Sequence, residues 1–170
     1  AEHLPKDISW HFIGGLQRNK VKQIVPFVSM IHSVDSTRLF DEVLKRCEQI
    51  DRVVDILLEV RIAREETKGG IAPEELDALT LYCKQAIEQK PFARIRGLMG
   101  MASLTDDQQE VRREFALLKR LFVQQKEHHF ANDAHFDTLS MGMSNDWSIA
   151  VEEGSTLIRV GTAIMGPRNY

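Results

Sequence analysis

The chain has 170 residues, 43% of them hydrophobic and 28% charged, with a formal net charge of −3 and an isoelectric point of about 6.1. That composition predicts one globular domain and offers no electrostatic footprint for nucleic acid. No apolar run approaches the roughly 18 to 20 residues of a membrane span, residues 1–6 carry no apolar signal segment, and two distant cysteines, Cys47 and Cys83, fit a reduced cytosol better than a disulfide framework.

In chain order, residues 10–13 (Trp-His-Phe-Ile) form a short β-prone run ended by Gly14 and Gly15. Residues 16–25 read as a helix stopped by Pro26, with the basic stretch 18–22 as its solvated face. A second apolar run, 28–34, closes at Asp35 and Ser36. Ser36 is placed to cap a helix over 37–50, where Phe40, Val43, Leu44 and Cys47 share one face. The third apolar run is 53–62, followed by a polar loop, 63–72, that contains Gly69 and Gly70. Pro73 then sits at a first helical position, ahead of the stripe Leu76, Leu79, Cys83 and Ile87. Residues 95–101 are the fourth predicted strand, and Thr105 is the expected cap of a long helix over 106–129 with Phe115, Leu118 and Phe122 inward. The fifth strand is 136–141, a helix over 145–153 stops at Gly154, and 157–160 is the sixth strand, leading into Gly161, Thr162 and Ala163.

Six strands alternating with helices, with no hairpin signal between them, mean a mostly parallel sheet. An open doubly wound sheet and a closed barrel both satisfy this pattern.

Two loops could carry chemistry. Residues 139–146 (Leu-Ser-Met-Gly-Met-Ser-Asn-Asp) and 154–162 (Gly-Ser-Thr-Leu-Ile-Arg-Val-Gly-Thr) each run from a strand through a glycine toward a helix start. Ser144, Gly161 and Thr162 would offer hydroxyls and unobstructed N–H groups to a phosphate; the plain alternative makes Ser144 an N-cap and Gly161 a turn. Arg159 lies between Ile158 and Val160, so alternation points it away from both. A buried arginine needs an acceptor, either a ligand near the phosphate loop or a carboxylate such as Asp137 or Glu59.

These segments resemble the pyridoxal phosphate homeostasis proteins, small barrels like the N-terminal domain of alanine racemase. The resemblance runs through 10–14, 16–20, 31–36, 66–70, 96–99, 139–146 and 159–166, in family order along the whole chain. It implies a (β/α)8 TIM barrel, here incomplete with six of eight strands. It implies pyridoxal 5′-phosphate as cofactor, with Ser144, Gly161 and Thr162 on its phosphate and Arg159 facing the pyridine nitrogen. His11, Asn19 and Met141 are implied around the same mouth. Asn145 stands where the family commonly has Asp, and Gly15 where it has Pro or His.

The family's first two strands, one carrying the Schiff-base lysine, have no counterpart here. The expectation is therefore a single cofactor-binding domain over 1–170 that is N-terminally truncated, with no catalytic residue assigned and no metal. Lys68 is the best substitute lysine, with a solvated loop lysine as the plain reading. Strands 10–13 and 157–160 are then expected as open edges, prone to pair or aggregate, whereas the full-length protein is expected to be a monomer. The function implied is cytoplasmic vitamin B6 homeostasis: binding, buffering or delivering the cofactor to apo enzymes. The rival is an amino-acid racemase, which needs a second acid–base group that neither Tyr82 nor Tyr170 is well placed to provide.

Overall fold

The computed structural model describes residues 4–5, 7–65 and 68–166. Six strands form one sheet in the order of the chain: β1 (His11–Phe12), β2 (Met30–Val34), β3 (Val54–Glu59), β4 (Ala93–Met99), β5 (Thr138–Met143) and β6 (Leu157–Arg159). All five adjacent pairs are parallel. A doubly wound sheet reverses its strand order at a switch point. This one never does, so the crossovers all advance one way and the sheet curls into a half-barrel with helices outside. Among the described residues, β1 and β6 are each paired on one side only.

The helices are α1 (Val21–Ile24), α2 (Thr37–Gln49), α3 (Leu76–Gln89), α4 (Gln108–His129), α5 (Trp147–Glu152) and α6 (Thr162–Met165). Ser36 caps α2 as its position predicts, accepting the Leu39 N–H at 3.4 Å. Two starts differ from expectation. Gln17 is extended (φ −70°, ψ 134°), so the predicted helix over 16–25 becomes a 3-10 turn at Arg18–Lys20 followed by the single turn of α1. Asp107, not Thr105, caps α4, its carboxylate accepting from Gln109 N at 2.9 Å and Glu110 N at 3.3 Å. An anion there also meets the positive helix end. Thr105 accepts the Asp107 N–H one step earlier, at 3.1 Å.

The two sheet faces differ in chemistry. Ile31, Ile56, Leu58, Ile95, Leu98, Leu139 and Met141 face the helices in one continuous apolar core with Phe40, Cys47, Phe115 and Leu118. Burial pushes the thiols of Cys47 and Cys83 up, to about 11 and about 12, so both are inert packing groups. The opposite face holds a small apolar cluster, Met30, Leu57 and Met99 with Met101, between two polar layers. At the strands' N-terminal ends Arg96 spans β3 to β5. It donates to Asp55 at 2.8 Å, to both oxygens of Asp137 at 2.9 and 3.0 Å, and to the His135 carbonyl at 2.8 Å. Gly97 next to it is forced: at φ 151° a Cβ would lie 1.8 Å from the Thr138 carbonyl oxygen of β5.

Candidate functional site

At the C-terminal ends of β5 and β6 the two predicted loops meet. Ser144 Oγ accepts the N–H groups of Gly161 and Ala163, both at 3.3 Å, and lies 3.0 Å from Thr162 Oγ1. Two N–H donors and two hydroxyls thus converge on one point. Ser144 does not cap its own helix: Asp146 occupies that position, and its Oδ1 takes the Met143 N–H at 2.5 Å. Gly142 sets this turn. Its φ is 96°, and a Cβ would stand 2.6 Å from Ala150 Cβ of α5, so a side chain here would push α5 and the Ser144 loop apart.

Arg159 closes the floor of the site. It donates through Nη1 to Ser140 Oγ at 2.8 Å and through Nη2 to the Gly100 carbonyl at 3.0 Å, while its buried Nε–H has no partner among the described residues. Neither Asp137 nor Glu59, the carboxylates considered as partners, bonds it; Asp137 is committed to Arg96. Burial lowers the Arg159 pKa, and the charges of Asp146 and Glu59 oppose that shift. An arginine starts from so high a value that it stays charged. Glu59 is buried, and burial raises its pKa to about 7, helped by the Asp35 charge and opposed by Arg159.

Ser144, Arg159, Gly161 and Thr162 border one cleft of about 770 Å³, together with Lys68, Ala102 and Asp146. Lys68 is not a free loop lysine: its ammonium donates to the Ala102 carbonyl and lies 3.7 Å from Glu65. Residues 66 and 67 of the resembling 66–70 segment lie outside the described residues, as does Tyr170.

The other predicted site residues sit elsewhere. Asn19 is exposed on the 3-10 turn before α1 and does not line the cleft. Met141 is fully buried in the helix-side core, facing away from the cleft. His11 begins β1 and reaches inward to His32 rather than to the cleft, its Nδ1 3.0 Å from His32 Nε2. Sequence reasoning missed His32, Ser140 and the Gly100 carbonyl. The available signal was a histidine and a serine at inward positions of apolar strands, where burial demands a partner. Among the described residues no group of His, Cys, Asp and Glu is arranged to hold a metal ion.

A curled parallel sheet with helices outside, two loops that meet at the ends of β5 and β6, and an arginine beneath them define an incomplete α/β barrel with its candidate site at the C-terminal ends of the strands. The family profile described as alanine racemase, N-terminal domain, matches residues 3–169. The chain is 41% identical over 165 residues to a pyridoxal phosphate homeostasis protein of Aquifex aeolicus, covering 96% of this chain and 69% of that protein. It is 38% identical over 162 residues to the protein of that name from Helicobacter pylori, covering 95% and 67%. A crystal structure from Bifidobacterium adolescentis superposes with a TM-score of 0.82 at 34% identity, over 93% of this chain and 61% of that one. PipY of Synechococcus elongatus, in a structure with PLP bound, gives 0.82 at 34% identity over 97% and 73%. Alanine racemase of Streptomyces lavendulae, 15% identical with a TM-score of 0.72, shares the fold alone. The chain belongs to the alanine racemase N-terminal domain family, among the pyridoxal phosphate homeostasis proteins.

Proposed function

We propose that this chain is a single cofactor-binding domain that takes pyridoxal 5′-phosphate at the C-terminal ends of β5 and β6. On this reading it serves to hold and hand on the cofactor in the cytoplasm, to apo enzymes as recipients, without robust turnover of an amino acid. The observation that carries the reading is the convergence of Gly161 N, Ala163 N, Thr162 Oγ1 and Ser144 Oγ above a half-buried Arg159 whose buried Nε–H is to spare among the described residues.

The residues fit the group. The N–H groups and hydroxyls now gathered on Ser144 are what a phosphate monoester needs. A buried N–H without an acceptor favours any ligand that brings a lone pair to it. When bound, the cofactor supplies a pyridine ring that can draw electrons from an attached carbon. Arg159 donates but cannot surrender its proton, so it keeps the ring nitrogen unprotonated and weakens that electron withdrawal. A racemase-like enzyme also needs a second acid–base group at the ring. Tyr82 donates instead to Asp41 at 2.9 and 3.0 Å, between the outer helices α2 and α3.

The test is calorimetric titration with pyridoxal 5′-phosphate, pyridoxal and inorganic phosphate, followed by borohydride reduction and intact-mass measurement. The expected result is reversible binding that needs both ring and phosphate, with no stoichiometric reduced adduct on Lys68. Equal binding of pyridoxal without its phosphate would overturn the site. A stoichiometric Lys68 adduct would overturn the account of that lysine.

A further inference from the structure

A line of polar side chains leaves the floor of the cleft and crosses the sheet interior, and cofactor binding as described above does not use it. From Arg159 it runs to Ser140 Oγ at 2.8 Å, from Ser140 to His32 Nδ1 at 3.1 Å, and from His32 Nε2 to His11 Nδ1 at 3.0 Å. It ends with His11 Nε2 at 3.5 Å from Ser9 Oγ. The line joins β6, β5, β2 and β1. Such a span is open to side chains only because the curl brings distant strands face to face. His32 and Ser140 are both fully buried, so neither can turn to water for a missing partner.

The protons on this line can be counted. A guanidinium only donates, so Ser140 Oγ accepts from Arg159. A neutral imidazole has one N–H and one lone pair. Only one polarity then gives every proton an acceptor. The Ser140 hydroxyl donates to His32 Nδ1, His32 Nε2–H donates to His11 Nδ1, and His11 Nε2–H points to Ser9. The reverse polarity aims two donors at Ser140 Oγ and leaves its own hydroxyl proton buried with no acceptor on the line. Neutral imidazoles agree with the surroundings. Burial, then the neighbouring His11 and Arg159 charges, depress His32 to about 4, and burial lowers His11 against the pull of Asp55.

We propose that His32 is a positioning residue for Arg159: by taking the Ser140 hydroxyl proton it fixes the serine's lone pair on the guanidinium and so holds the guanidinium, with its buried Nε–H unpartnered among the described residues, at the floor of the cleft. The consequence is a specificity rule. A ligand must present a lone pair where the Nε–H points, so a pyridine is accepted and an N-alkylated pyridinium of the same shape is refused. This rule rests on the pyridoxal 5′-phosphate reading above; the orientation of the His32 line does not.

The test therefore has two arms. In the ligand-free protein, long-range 1H–15N NMR should find His32 with its proton on Nε2, and the Arg159 Nε–H slow to exchange. His32→Gln keeps a group near the Nε2 position but vacates Nδ1, and should make that Nε–H exchange at least tenfold faster. His32→Asn places an amide oxygen near Nδ1 and should restore slow exchange. A proton found on His32 Nδ1, or equal exchange in both variants, would overturn the proposal whatever the protein binds. In the second arm, the wild-type chain should prefer pyridoxine 5′-phosphate to its N-methyl pyridinium analogue by about tenfold or more. His32→Gln should lose that preference, His32→Asn should keep it, and inorganic phosphate should bind all three alike. A preference untouched in His32→Gln would overturn the specificity rule. Failure of the wild-type chain to bind either ring compound would instead overturn the cofactor reading, with the first arm still deciding the role of His32.

Discussion

Two arginines on the same face of the sheet show how one residue type serves two ends of a barrel. Arg96, at the N-terminal end of the strands, bonds protein acceptors through all three of its nitrogens, Nε to His135, Nη1 to Asp55 and Nη2 to Asp137. Arg159, at the C-terminal end, spends both Nη groups on Ser140 and Gly100 and holds its Nε–H back. Arg96 sits between two carboxylates; Arg159 bonds a hydroxyl and a carbonyl. A fully satisfied arginine is a fastener. An arginine with a buried donor to spare can take an acceptor from a ligand, and that difference supports the proposal that binding is at the C-terminal ends of the strands.

The largest effect should come from breaking the fastener. Arg96→Leu leaves Asp137 without its cation and Asp55 with Arg94 alone, at 3.3 Å, and should cost about 3 kcal/mol in urea denaturation, the low end for a broken pair because Asp137 is half exposed and Asp55 keeps one partner. Arg159→Leu should cost only about 1 kcal/mol of stability while removing recognition of the ring nitrogen. Equal losses for the two would erase the distinction between the ends.

The next effect concerns pH. His32 is depressed from 6.5 to about 4, so between those values the unfolded chain holds more protons; its contribution to stability grows with pH through that window and is lost as pH falls. Glu59 is raised from 4.5 to about 7, so there the folded chain holds more protons, and stability falls as pH rises through that window. The two oppose each other between 4.5 and 6.5, with the depressed His11 adding to the rise, so the wild-type stability curve should climb only shallowly there. Glu59→Gln removes the falling half. The variant should gain stability as pH rises and exceed wild type near pH 8 by on the order of 2 to 3 kcal/mol. Superimposable curves would contradict the assignment.

Much of this was legible in the sequence, and the failures have physical reasons. The strict alternation of apolar runs and amphipathic segments places all six strands, and the Ser36 cap is local chemistry that the structure repeats. The choice between an open sheet and a barrel is not local, because it depends on the hand of every crossover together. The meeting of Ser144, Gly161 and Thr162 was legible because glycine-containing strand-to-helix loops stand out, and the inward Arg159 because a charge between Ile158 and Val160 needs explaining. Thr105 was mistaken for a cap because Asp107, two residues on, offers a better acceptor at the same turn. Met141 was misplaced because alternation puts it on the helix side once Ser140 is known to face inward. The His11–His32–Ser140 line was invisible because its bonds join residues 21 and 108 positions apart.

Two smaller effects sharpen the contrast at the binding end. Gly142→Ala should destabilise by about 2 kcal/mol, from the left-handed backbone and the collision with Ala150. The same variant should weaken phosphate-ester binding beyond the stability loss, because the Ser144 turn moves with it. Ser144→Ala should leave stability within about 1 kcal/mol and weaken pyridoxine 5′-phosphate binding by about 1 to 1.5 kcal/mol in calorimetry. Unchanged affinity would reduce Ser144 to a tie between loops.

The most direct measurement is a 1H–15N NMR titration of the chain with pyridoxine 5′-phosphate, which carries the ring and the phosphate without a reactive aldehyde. The account predicts the largest shifts at the amides of Gly161, Thr162 and Ala163 and at Arg159 Nε–H, with the Arg96 side chain unmoved. Saturable binding that leaves Arg159 Nε–H unshifted, or shifts centred on Arg96 at the opposite end of the strands, would contradict it.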